Sequence, residues 1–203
     1  MPATSLTIAE AALIRAGTLA PAERWSSVAT FFTSDTHFGD HRTINIQRRP
    51  FASVAEMDAV LIDRWNEVVA DEDEVWHLGD FARSVRDAER VLGVLRGRKH
   101  LIRGNNDPEA VAAHLGWASV RDYHEIRVDE RLVILCHYPF RAWNGQARGA
   151  VNLHGHSHGR GKPLPRQVDV GVDAWNFRPI GFDMIAERIG AKPKSMAAEP
   201  TSA

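Results

Sequence analysis

"ATFFTSD", residues 29–35, is a short apolar run that stops on a hydroxyl and a carboxylate. A run of that length with no helical spacing reads as a buried strand feeding a loop. The pattern recurs in "DEVWHLGD" (73–80) and "KHLIRGNND" (99–107). Between and after these runs the spacing turns helical. "SVAEMDAVLIDRWNEVVA" (53–70) sets Val54, Met57, Leu61, Trp65 and Val68 on one face, with Ser53 and Glu56 placed for a capping box. "SVRDAERVLGVLRG" (84–97) predicts a helix closing on Gly97, and "PEAVAAHLG" a short one opening on Pro108. Strands alternating with helices predict a parallel α/β sheet.

The later part of the chain is richer in strands. Residues 117–128 and 131–136 read as two strands joined at "DE", "AVNLHG" and "RQVDVGVD" as further strands, and "GFDMIAERI" as a last helix. This half looks hairpin-like. The whole predicts one layered α/β domain with mixed sheets over residues 29–190. An extension over 1–28, with a short helix at 5–16, precedes it, and a small, polar, proline-containing tail over 191–203 follows.

Composition narrows the function. Of 203 residues 44% are hydrophobic and 25% charged, and the net charge is −1, so no bulk field draws the chain to nucleic acid or to a membrane surface. The single cysteine, Cys136, excludes an intrachain disulfide and fits a reducing compartment. No apolar run approaches the ~18 residues of a membrane span, and Glu10 and Arg15 interrupt the N-terminal apolar stretch, so a cytoplasmic location is expected. Nothing in the sequence fixes an oligomeric state.

Strand after strand ends in a residue able to bind metal: Asp35 and His37, Asp80, Asn105, His137, and His156 with His158 in "NLHGHSHG". In α/β sheets ligands gather at the carboxyl ends of strands. Imidazole nitrogens with carboxylate and amide oxygens suit manganese, iron, zinc or nickel. Seven such groups exceed the four of a simple zinc site, and a shared carboxylate can bridge two ions ~3.5–4 Å apart. His154 shares the parity of His156 and His158 but lies deeper in the strand, which assigns it to packing or support. His77 is expected to be structural or to orient the "LGD" loop, and His100, His114 and His124 to be structural or exposed.

In order along the chain, "DTH", "GD", "GNND", a lone histidine and "GHSH" resemble the signature of the calcineurin-like metallophosphoesterases, over about residues 31–175. The resemblance, to a small bacterial or phage-type member, implies a four-layer αββα sandwich of two mixed sheets flanked by helices. It implies that Asp35, His37, Asp80 and His158 hold one metal, and Asp80, Asn105, His137 and His156 a second. It further implies that a metal-bridging hydroxide attacks phosphorus in line. Two divalent ions are thus expected, manganese first and iron, zinc or nickel otherwise, acting on a small phosphoester such as a nucleotide. The chain departs from the family at Gly104-Asn105-Asn106-Asp107, where the pattern has histidine at the place of Asn106. An amide donates a hydrogen bond but is no proton donor near neutral pH. Substitute acids are His41, Tyr138 and Asp107, and Arg42 and Arg83 are candidate clamps for phosphate oxygens.

Arg48 and Arg49 are expected at the surface. The loop "GRGKPLPR" (159–166) is expected as an exposed hairpin, or as a basic rim of the pocket. Trp143 and Trp175 are candidate ring contacts, and Asp169 and Asp173 are expected to make strand-end hydrogen bonds or to support a ligand. The alternative to a hydrolase is a non-catalytic metal-binding scaffold of the same fold acting through protein partners, which Asn106 keeps open.

Overall fold

The computed structural model describes residues 28–190, so the helix expected over 5–16 and the tail expected over 191–203 lie outside the described residues. Strands β1 (Thr30–Thr33), β2 (Glu74–His77), β3 (Arg98–Ile102) and β4 (Ser119–Arg121) run parallel in the order β4-β3-β2-β1, and β9 (Ile180–Gly181) closes that sheet antiparallel to β1. The second sheet orders β5 (Tyr123–Val128), β6 (Arg131–Cys136), β7 (Val151–His154) and β8 (Gln167–Asp169).

Only β5 and β6 form the expected hairpin, turning at Asp129 and Glu130 with φ of 48° and 65°. The strands β6, β7 and β8 are parallel, which corrects the hairpin reading of residues 159–166. The connections 137–150 and 155–166 are each about a dozen residues long, enough for a parallel crossover. A second correction concerns 117–128, expected as one strand. It breaks at Asp122, so that β4 joins the first sheet and β5 the second. Asp122 accepts from Arg103 Nε (2.7 Å) and Nη2 (3.1 Å), and Arg103 N–H donates to the Arg121 carbonyl (2.8 Å). No glycine or proline marks this corner in the sequence.

The helices are α1 (His41–Gln47), α2 (Val54–Val68), α3 (Val85–Leu92), α4 (Glu109–Ala112) and α5 (Phe182–Arg188). In α2 the cap is as expected at Ser53, whose hydroxyl accepts from Glu56 N–H (3.1 Å), while the Glu56 carboxylate reaches back to Ala52 N–H (2.7 Å). α3 ends at Gly93 rather than Gly97. Glycine is a poor helix residue, and past it the chain loosens into a turn that buries Leu95. α1 was not signalled, because only Thr43 on it is buried and no apolar stripe exists to read.

Parity along the strands sorts the core. Phe32, Trp76 and Ile102 of the first sheet face Val133, Leu135, Val151 and Leu153 of the second, and α5 adds Phe182 and Ile185. Their neighbours Phe31, Val75 and Leu101 point the other way, onto Met57, Leu61, Trp65, Ala88 and Val91 of α2 and α3. On the far side of the second sheet Ile134 packs with Trp143 and Ala150, next to a 3₁₀ turn at Gln146–Arg148. The result is the expected pair of facing mixed sheets with flanking helices. Among the described residues no helix is long and apolar enough to cross a membrane.

Candidate metal centre

The loops that leave β1, β2, β3, β6 and β7 meet at one rim. Their backbones are stitched together: Asp35 N–H donates to Gly79 O (2.9 Å), His37 N–H to Asp80 O (3.0 Å), and Gly155 N–H to His137 O (3.0 Å). The approach is close enough to exclude side chains. A Cβ on Gly155 would lie 1.9 Å from Ser34 Oγ and 2.5 Å from Asp35 Oδ2, and one on Gly104 would lie 2.3 Å from Asp80 Oδ1.

Backbone strain concentrates here. Asp35, His37, Asp80, His156 and His158 all have positive φ, at 58°, 52°, 58°, 67° and 48°. Non-glycine residues seldom adopt this region, and each such residue costs of order 1–3 kcal/mol unless its surroundings hold it. The strain aims side chains inward from tight loops.

The seven expected residues converge. Asp35, His37 and His158 offer ligand atoms all within 4.8 Å of one another, and so do Asp35, Asp80 and His137. Asp80 Oδ2 lies 3.6 Å from His37 Nε2, and Asp80 Oδ1 3.6 Å from His137 Nε2. Each gap is too long for a hydrogen bond. Two ligands ~2.0–2.2 Å from one ion, at 90–120°, stand about 3–3.7 Å apart. His158 Nε2 is 3.9 Å from Asp35 Oδ1. Asn105 Oδ1 lies 3.1 Å from His137 Nε2. The His137 Nδ1–H donates to Leu78 O (2.7 Å), so Nε2 and the amide oxygen turn lone pairs toward each other. His156 is more exposed; its N–H donates to Asp35 (3.0 Å) and its ring meets that of His137 at 5.2 Å.

Charge points the same way. Burial first, and then the Asp80 and Asp169 carboxylates, push the Asp35 carboxyl well above its ordinary range. Burial lowers His37 to about 4, so its imidazole is neutral at neutral pH. Buried carboxylates facing imidazole nitrogens make a site that a divalent cation would neutralise, and the nitrogen–oxygen donor set fits first-row transition ions.

Beside it lies a cleft of about 210 Å³ walled by His37, Asp40, Arg42, Ala82, Arg83 and Asn106. Arg42 and Arg83 both pair with Asp40, at 2.8 and 3.2 Å. Hydrogen bonds from Arg42 hold Asp40 at about 2. Asn106 turns toward the metal loops: its N–H and Nδ2 donate to the two oxygens of Asp80, at 2.8 and 2.7 Å. Asp107 accepts from the N–H groups of Asp80, Gly104 (2.8 Å each) and Phe81 (2.7 Å), and burial raises its carboxyl. His41 is exposed on the first turn of α1 and does not line this cleft. Tyr138 is half-exposed against His156, ring to ring at 4.7 Å, in a second cleft shared with Asn105 and His137.

Sequence reading missed one residue at the centre. Arg49, expected at the surface, has a fully buried side chain. It grips Asp173 through Nε and Nη2, both at 2.8 Å, and donates to the carbonyls of Asp35 (2.6 Å) and Thr36 (2.9 Å). Asp173 in turn lies 2.6 Å from His158 Nδ1. Burial works to raise the Asp173 carboxyl, but the hydrogen bonds of His158 and Arg49 bring it down to about 2. An arginine next to another at a helix end carries no signal of this. His77 is buried below the site with Nε2 2.9 Å from Thr36 Oγ1, so it supports the loop between Asp35 and His37. Trp143 is not a cleft residue: it packs on Ile134 and donates to Ala150 O (3.0 Å).

Residues 30–162 match the family model of the calcineurin-like phosphoesterase superfamily domain. The uncharacterized protein MJ1445 of Methanocaldococcus jannaschii is 30% identical, with 78% of this chain and 90% of that protein aligned. The Gene 66 protein of Mycobacterium phage L5 is 32% identical, over 79% of this chain and 93% of its own. The crystal structure of AQ665 from Aquifex aeolicus, a protein of unknown function, superposes with a TM-score of 0.68 at 23% identity, covering 80% of this chain and 100% of that one.

Proposed function

Since the chain belongs to the calcineurin-like phosphoesterase superfamily and is a metal-dependent phosphoesterase, we propose that it uses two divalent ions to hydrolyse a small phosphomonoester or phosphodiester, such as a nucleotide. The observation that carries the pair of ions is Asp80, whose two oxygens face different imidazoles, His37 and His137, at the same 3.6 Å. In this reading Asp35, His37, Asp80 and His158 hold one ion, and Asp80, Asn105, His137 and His156 the other. Manganese is the first candidate, with iron, zinc or nickel compatible with the same donors. Bound there, the ions would acidify a water and neutralise charge on the phosphoryl oxygens.

The chain's own groups do the rest. Arg42 and Arg83 border the cleft that His37 opens onto, and their guanidinium groups match phosphate oxygens once they leave Asp40. Asn106 fixes the bridging carboxylate in orientation by two hydrogen bonds, and Asp107 holds the loops of Asp80 and Gly104 at their spacing. Asp107 spends both oxygens on backbone N–H groups, and His41 lines neither cleft, so Tyr138, in the second cleft beside Asn105 and His137, is the remaining candidate to assist the leaving group.

The test is hydrolysis of p-nitrophenyl phosphate and bis-p-nitrophenyl phosphate by chelator-treated protein before and after manganese is restored. Activity should return with about two equivalents of metal per chain and be lost in Asp80→Asn. Retained activity in that variant, or full activity at one equivalent, would remove the dinuclear assignment.

A further inference from the structure

Behind the loop that carries His156 and His158 is a pocket unconnected with the roles above. Ser157, between the two histidines, forms part of its wall, and the cavity measures about 250 Å³. Pockets for drug-sized molecules run ≈ 300–1,000 Å³, so this one holds a single ring system with a substituent at its mouth.

The wall has three distinct parts. Trp175 is a flat apolar side, fixed by its Nε1–H donating to Asp169 O (2.7 Å). His154, 3% exposed, lines the pocket with Nδ1 committed to Gly155 O (2.8 Å), which leaves Nε2 as the acceptor of the neutral ring. Lys162 and Arg188 line the same cavity, and neither has a carboxylate partner among the described residues; Arg188 lies over the Trp175 ring at 5.8 Å. The one carboxylate in the wall is already engaged: Asp169 accepts from Ser157 Oγ and Gly171 N–H (2.7 Å each) and from Gly159 N–H (2.8 Å). An aromatic side, a buried acceptor and two unpaired cations define a ligand that is flat, offers an N–H, and is anionic.

We propose that this pocket binds a planar heterocycle bearing an anionic group, the chemistry of a nucleoside monophosphate, at a site separate from the metal centre. The inference does not rest on the hydrolase reading. It accounts for His154, the histidine of "HGHSH" outside the proposed metal donors, and for Lys162 of the basic loop 159–166.

Calorimetric titration of the full chain with AMP and GMP, with and without manganese, tests it. Adenosine and inorganic phosphate serve as the two half-ligands. AMP or GMP should bind in both metal states, and each half-ligand about ten-fold more weakly or worse, the size of one charge-assisted or stacking contact. Trp175→Ala and Arg188→Glu, checked for unchanged melting, should each weaken binding by about ten-fold. Absence of binding by either nucleotide at millimolar concentration overturns the proposal, as does binding indifferent to both substitutions. Binding that vanishes with the metal overturns it too, since the ligand would then sit at the metal centre. Tight binding of phosphate alone would show an adventitious anion site, and likewise sink the assignment.

Discussion

Arg49 and Asp173 stand 124 residues apart in the chain and meet as a two-pronged pair, each contact 2.8 Å, beneath His158. The guanidinium also holds the carbonyls of Asp35 and Thr36, so one buried side chain ties the loop after β1 to the carboxylate that contacts His158.

Removing one partner of this pair should cost more than removing a contact. Arg49→Met would leave Asp173 charged and buried, which costs about 3–5 kcal/mol. Asp173→Asn keeps the shape but releases His158 from a carboxylate, and groups in that position typically support metal affinity by about 10–100-fold. Asp173→Asn also leaves the buried Arg49 without its counter-charge, so melting should fall as well, and metal titration followed by manganese paramagnetic resonance should show affinity weakened beyond what the lost stability explains. Unaltered affinity would reduce the pair to a packing role.

Gly155→Ala tests the close approach of the loops. The added methyl would press on Ser34 and Asp35, within 1.9 and 2.5 Å. Overpacking of this kind costs typically about 1–3 kcal/mol, and here the strain falls on Asp35, a proposed metal donor. Thermal melting should drop and manganese uptake should fall further than the melting alone predicts. Uptake that merely follows stability would place the effect in folding.

Asn106→His should separate good from poor leaving groups. The backbone N–H to Asp80 Oδ1 survives the change, while the side-chain hydrogen bond to Oδ2 is exchanged for an imidazole. General acid help is worth about 10²–10⁴-fold. Alkyl phosphoester rates should rise and p-nitrophenyl rates stay level. Equal change in both would mean that position 106 acts on the metal carboxylate alone.

The pH dependence of the metal-free protein follows from Asp35. Its folded pKa is raised above the value of 3.8. The folded state therefore holds its proton longer than the unfolded chain, and stability is lost as pH rises through the raised pKa. Asp35→Asn removes that loss, so without metal the variant should melt higher than the parent at pH 7, and the gap should close toward pH 4. Saturating manganese should reverse the order, adding about 2.7 kcal/mol to the parent at ~100 Kd and little to the variant, or roughly 5–10 °C. A metal-free gap that widens on acidification contradicts the sign.

The strand ends were legible because each apolar run stopped on a carboxylate, amide or imidazole, and that polarity change survives without knowledge of the fold. Helix α2 was legible from its stripe and its Ser53 cap. What escaped depends on contacts distant in sequence. Arg49 reads as one of two basic residues at a helix end, and only the fold reveals that its neighbour Arg48 turns out while it turns in. The corner at Asp122 is made by Arg103, a partner 19 residues away, not by a breaker residue. Left-handed backbone at Asp35, His37, Asp80, His156 and His158 has no local signature, because aspartate and histidine give no sign of positive φ as glycine does.

The corner at Asp122 has a mechanical meaning. Between β4 and β5 a single residue carries the chain from the first sheet to the second, and it pairs with the arginine that precedes the Gly104-Asn105 loop. The chain thus passes from one half to the other within one residue at this edge, against ten residues (170–179) at the return from β8 to β9. The step from one sheet to the other is therefore made beside the loop of Asn105 and Asn106, so a change at Asp122 or Arg103 would be felt at that rim without touching any residue that lines it at Arg42 or Arg83.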